Sequence, residues 1–140
     1  MTRRILAVPS SAPWPKTYVY IDGFNFYYGA VKDHPAYKWL DLSKLAADLL
    51  RGHQIEKVKY FTARVDDRPD DPKQSQRQDV YLRALGTLPG VEIHLGHFRT
   101  REKRVPLAKR RLNGKVKIVT ARITEEKATD AALAAHLVWD

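Results

Sequence analysis

At 140 residues the chain suits a single domain, and 44% hydrophobic residues is enough for a packed core. The balance of 25 Lys+Arg against 16 Asp+Glu gives a net charge of +9, which favours polyanionic partners such as nucleic acid or anionic lipid. There is no Cys, which excludes a disulfide framework and a Cys-based zinc site.

Residues 1–16 hold Pro9, Pro13 and Pro15 and read as a flexible leader to a domain spanning 17–140. The apolar run Ile5 to Val8 is too short for a signal segment and is cut by Pro9. No stretch approaches the ~20 apolar residues of a membrane span. The expectation is a cytoplasmic protein.

Thr17 to Asp22 predicts the first strand, with a turn at Gly23. Phe24 to Val31 is aromatic-rich and predicts a short helix that ends at His34-Pro35. Asp41 is a candidate N-cap for a helix carrying Leu42, Leu45, Ala46 and Leu49, with Gly52 as its stop. Ile55 to Val65 alternates as a second strand. After an acidic loop from Asp66, Pro72 to Leu85 predicts a helix anchored by Val80, Leu82 and Leu85. Val91 to Leu95 is a third strand.

From 99 to 122 the chain is dense in cations, and Asn113-Gly114 marks a two-residue hairpin turn. Lys115 to Ile123 alternates basic with apolar, so a two-stranded ribbon is expected. Thr124 to Trp139 predicts an Ala-rich helix with Glu125 and Glu126 in its first turn. This alternation of strands and helices argues for an α/β fold with a mostly parallel sheet.

Asp22 and Asn25 are the first chemical candidates. In α/β sheets ligands bind beyond the carboxyl ends of strands, and Asp22 ends the first one. A carboxylate there can ligate a divalent cation, with the amide orienting it. It can equally bond its own turn backbone. Glu126 and Asp130 are four apart, so a helix would put both on one face. They would line either a cleft rim or a solvated first turn. Arg99, Arg101, Lys103, Arg104, Lys109, Arg110 and Arg111 are expected to track a phosphate backbone. The five His offer no paired metal motif and are read as structural or surface. No Walker loop, no G-x-G-x-x-G run and no G-x-S-x-G elbow occurs.

Taken together, Ile21-Asp22-Gly23-Phe24-Asn25, Tyr60-Phe61-Thr62-Ala63, Gln76-Arg77-Gln78, Tyr81 to Leu85, Gly96-His97-Phe98 and Glu126-Lys127-Ala128-Thr129-Asp130 form an ordered pattern. In that order the chain resembles the NYN domain family of PIN-like nucleases. The resemblance implies a three-layer α/β/α PIN-like fold. It also implies metal-dependent endoribonuclease chemistry, with Asp22 and Asp130 holding Mg²⁺ or Mn²⁺, Asn25 supporting them and Glu126 as an extra acid. The family continues past the second acidic helix into another strand with a further acidic motif. The expectation is therefore a domain incomplete at its C-terminus, lacking its last strand and helix. Two rivals accompany it: a non-catalytic RNA-binding module, and a scaffold that forms homo-oligomers through an exposed sheet edge.

Overall fold

The computed structural model describes residues 13–107 and 117–140, except for the side chains of Arg99, Glu126 and Lys127. Three parallel strands form its centre: β1 (Lys16–Asp22), β2 (Gln54–Ala63) and the first half of β3 (Val91–Pro106). β2 lies between the other two, with Asp22 level with Phe61 and Phe61 level with His94.

The connections follow local chemistry. Asp41 accepts hydrogen bonds from the backbone N–H groups of Ser43 and Lys44 at 2.9 and 3.1 Å, which starts α2 (Leu42–Leu49) as its cap position predicts. Gly52 turns the chain back with φ of 86°, a conformation glycine adopts at little cost. Beyond an acidic loop, α3 (Gln74–Leu85) returns the chain to β3. Gln78 joins this helix to the end of β2. Its amide nitrogen donates to the Ala63 carbonyl at 2.7 Å, and its amide oxygen accepts from the Val65 N–H at 2.9 Å.

Alternation along β2 divides the layers. Val58 and Tyr60 face α2 and α3, meeting Leu42, Ala46, Leu82 and Leu85 in the buried core. Lys59 and Phe61 face the opposite side, where α4 (Thr129–Trp139) crosses β1, β2 and β3. The protein is thus an α/β fold with helices on both faces of a mostly parallel sheet. Val80, expected as a core anchor, is instead 46% exposed, because it falls on the outer side of α3.

The third strand runs on beyond its expected end. From His97 to Pro106, β3 pairs antiparallel with β4 (Ile118–Lys127), forming the expected basic ribbon. The strand reading of β4 extends four residues into the segment expected to be helical. Thr124 sits opposite Thr100, and their hydroxyls share a 2.9 Å hydrogen bond. Run together, Ile118, Val119, Thr120, Ile123 and Thr124 are β-branched residues suited to a pleated surface. Ala128 then takes φ of 75°, which ends the strand and lets α4 begin at Thr129. Among the described residues, no helix is long and apolar enough to cross a membrane.

Candidate functional site

Asp22 ends β1 and caps the helical turn that follows, α1 (Gly23–Phe26). One carboxylate oxygen accepts from the Asn25 backbone N–H at 2.9 Å, and the other from the Asn25 side-chain amide at 2.8 Å. Both oxygens are engaged by one residue three positions on. Of the two expectations for this pair, the geometry fits the turn that satisfies its own backbone.

The second acidic motif is divided. Glu126 belongs to β4, opposite Phe98, while Asp130 lies exposed in the first turn of α4. They do not share a helix face, because Ala128 breaks the chain between them. The strand register does bring this region to the carboxyl end of the sheet, since Lys127 pairs with His97 just beyond the level of Asp22. Even so, no group of three His, Asp or Glu side chains is placed to hold a metal ion among the described residues.

The ribbon is less bare of acid than its sequence suggested. Glu125, which the helix expectation had removed from it, accepts from Arg101 and Lys103, both at 2.8 Å. Arg122 approaches Glu102 at 3.9 Å. Arg104 remains exposed on β3. Lys109, Arg110, Arg111 and the Asn113-Gly114 turn lie outside the described residues, as does the Arg99 side chain.

A concavity lies elsewhere, on the face of the sheet that carries α2 and α3. A cleft of ≈ 370 Å³ opens between α1, the carboxyl end of β2 and the first turns of α3. That size falls within the roughly 300–1,000 Å³ of small-molecule sites. Helix α1 runs directly into a π-helical turn, Tyr27–Val31, closed by the Lys32 N–H donating to the Tyr27 carbonyl at 2.8 Å. Such turns are rare and recur at functional sites. This one places Tyr27 and Tyr28 on the cleft, about half exposed, with their rings edge to face at 5.2 Å.

Tyr60 and Tyr81 form the floor, with ring centroids 6.2 Å apart. Burial first, and then the neighbouring Tyr81 hydroxyl, pushes the Tyr60 phenol well above the ordinary range. Burial likewise raises that of Tyr81. Both therefore stay protonated, and the Tyr60 hydroxyl donates to the Gly23 carbonyl at 3.5 Å. At the rim, Arg77 grips Asp71 through both guanidinium nitrogens. That bond holds the Asp71 carboxyl below its ordinary value and the guanidinium above its own.

Sequence reasoning passed over this cleft because its walls come from three distant segments, none carrying a catalytic pattern. The signal available was the aromatic density of Phe24, Phe26, Tyr27 and Tyr28 beside a strand end, in a stretch read only as a short helix.

No family model matches the chain. No solved structure matches it. Among curated proteins it is similar to the 6-hydroxy-3-succinoylpyridine 3-monooxygenase of Pseudomonas putida. The two are 31% identical over 150 aligned positions, covering 89% of this chain and 47% of that protein. The chain thus spans about half the length of the relative it matches. This relative's name is that of an oxidoreductase. It overturns the expectation of a metal-dependent endoribonuclease and, with it, the Mg²⁺ or Mn²⁺ cofactor.

Proposed function

We propose that the chain supplies the substrate cleft of a monooxygenase-type oxidoreductase acting on a hydroxylated nitrogen heteroaromatic ring. The observation that carries this reading is the tyrosine-walled cleft at the carboxyl end of β2. Its volume and flat aromatic walls suit one planar ring with a short substituent. The relative's name supports the reading, since it specifies oxygenation of a hydroxypyridine. The α/β/α layering supports a further proposal, that the scaffold is NYN-like while the activity is not that of a nuclease.

The chain's own residues have definable roles. Tyr27 and Tyr28 offer ring faces or edges against which a heteroaromatic ring packs. Tyr81, held neutral, donates to the ring hydroxyl or its oxo tautomer and so sets which ring carbon faces the cleft mouth, with the Tyr60 ring as the floor beneath. Dioxygen chemistry in such enzymes falls to a redox group such as a flavin. The β1–α1 turn does not fit a dinucleotide. A Cβ built on Gly23 would meet the Tyr60 ring at 2.6 Å, so protein already fills the space a phosphate cradle needs.

The test is a titration of the purified chain with 6-hydroxy-3-succinoylpyridine, followed by tyrosine fluorescence. Turnover is then assayed with a reduced flavin under isotopically labelled dioxygen. Saturable quenching that Tyr81→Ala abolishes, with label in the product, is the expected result. Folded protein that shows neither quenching nor label refutes the proposal.

A further inference from the structure

The charges at the cleft rim are unevenly answered. Lys32, Lys38, Arg68 and Arg77 contribute four cations there, against Asp70 and Asp71. Arg77 and Asp71 cancel each other through their two-pronged bond. Lys32 and Lys38 rest over the rings of Tyr28 and Trp39, at 5.2 and 5.3 Å from the centroids, which leaves their charge unneutralised.

Arg68 differs from the others. Its backbone is fixed by a reciprocal pair of hydrogen bonds with Asp71, the Arg68 N–H donating at 3.2 Å and the Asp71 N–H at 3.0 Å. Among the described residues its guanidinium forms no close ion pair, although four aspartates share its loop and its charge helps to hold the Asp71 carboxyl down. Two of those are committed elsewhere: Asp67 accepts from the Ser75 backbone N–H at 2.9 Å, and Asp71 holds Arg77. An exposed arginine on an anchored loop at the rim of a tyrosine-walled cleft has the fork geometry that binds a carboxylate through two parallel hydrogen bonds.

We propose that the cleft selects planar aromatic ligands bearing an anionic group, and that Arg68 is the residue that binds the anion. The ring lies among Tyr27, Tyr60 and Tyr81. The anion projects to the rim, where Arg68 takes it and Lys32 adds attraction without a directed bond. Asp70 sets the limit of the arrangement, because its carboxylate would repel a second negative charge on the ligand, while Lys32, Lys38 and Arg68 would repel a cationic tail. This inference rests on the cleft being the substrate site and adds its selectivity.

Two probes with the same ring separate the two ideas: 6-hydroxynicotinate, which carries a carboxylate, and 2-hydroxypyridine, which does not. Calorimetric or fluorescence titration of the full chain should show the anionic probe binding at least about tenfold tighter, as a charge-assisted bond implies. The difference should shrink as salt is raised. Arg68→Gln lies on an exposed loop and should leave the melting temperature unchanged. It should remove most of the anionic probe's advantage, leaving only the undirected attraction of Lys32, and leave the neutral probe unaffected.

Equal affinities for both probes in the unaltered protein overturn the proposal and leave the aromatic cleft standing. A preference that survives Arg68→Gln undiminished overturns the assignment to Arg68. Binding of neither probe removes this proposal and the substrate-cleft reading together.

Discussion

Gly23→Ala tests the packing on which the cleft depends. The residue follows Asp22 at the start of α1, and its own backbone is not in the left-handed region, so alanine meets no conformational penalty there. Taken alone, replacing glycine at such a position gains about 0.4–1 kcal/mol by restricting the unfolded chain. The new Cβ, however, would lie 2.6 to 2.8 Å from three atoms of the Tyr60 phenol. Tyr60 is 4% exposed and packed in the central cluster, so its ring can yield only on the side that borders the cleft. Overpacking of this kind costs about 1–3 kcal/mol. The balance is a loss of about 1–2 kcal/mol, which lowers the melting temperature by about 3–8 °C for a chain of this size. Thermal denaturation followed by circular dichroism measures it. Gly29→Ala is the control, since nothing lies within 4 Å of its added Cβ, and it should melt at or above the original temperature. Adding Tyr60→Phe to Gly23→Ala should recover only part of the loss, because the ring carbon at 2.6 Å remains. A Gly23→Ala protein that melts with the unaltered chain refutes the packing argument.

Ala128→Gly should stabilise the protein by about 0.5–1 kcal/mol, because φ of 75° costs an alanine more than it costs glycine; chemical denaturation reads the gain. Asp22→Ala removes the cap of α1 and both acceptors of Asn25, and should cost about 1 kcal/mol whether or not divalent metal is present; melting curves with and without Mg²⁺ check both halves. Stability should also fall on mild acidification. Burial, and then the nearby His136 ring, holds the His94 imidazole below its ordinary value of 6.5, with Glu92 opposing and Lys59 reinforcing the shift. The unfolded chain therefore takes the proton first, so the stabilisation is complete above that value and drains away as pH falls below it. His94→Phe, which keeps a ring stacked on Phe61, should flatten the dependence between about pH 7 and about pH 5. An unchanged slope in that variant would place the titration elsewhere.

The elements most legible in the sequence were those whose signals are local. Asp41 capped a helix because its side chain needs only the residues two and three positions on. The alternation from Val91 marked a strand, but its end was not visible. What carries β3 on to Pro106 is pairing with a partner some twenty residues away, not any change in its own pattern. The same partner decided the fate of Thr124 to Lys127. Acidic residues before an Ala-rich run look like a helix start, yet cross-strand bonds from Thr124 and Glu125 outweigh that weak preference. The cleft was the least legible feature, since it exists only where the β2 end, the Tyr27–Val31 turn and α3 converge. Asp22 shows the opposite error. A strand-end carboxylate followed by an asparagine has the same sequence signature as ligand or as cap, and only the two short bonds to Asn25 distinguish them.

The far face of the sheet raises a separate question, of how α4 finds its setting. Apolar residues surround this helix, and Leu137, Val138 and Trp139 are 60 to 90% exposed, so an amphipathic stripe does not dictate which side meets the sheet. The polar groups beneath it do. Lys59 is 5% exposed, a burial that costs several kcal/mol for an ammonium left unpaired. Its Nζ binds the Asp140 carboxylate and lies 3.2 Å from His136 Nδ1, while the Tyr20 hydroxyl donates to the same carboxylate at 2.7 Å. These bonds hold the Asp140 carboxyl below its ordinary value, Lys59 contributing most. His136 and Asp140 are one helical turn apart, so a rotation or a one-residue slip of α4 would carry both away from Lys59 and strand its charge. A lysine in the middle of a sheet is a poor source of net stability. It is a strong source of register, because every wrong placement of an indiscriminately apolar helix leaves it unpaired. By that reasoning the two faces of β2 are specified in different ways. The α2–α3 face is set by the shapes of Val58 and Tyr60, and the α4 face by one buried charge.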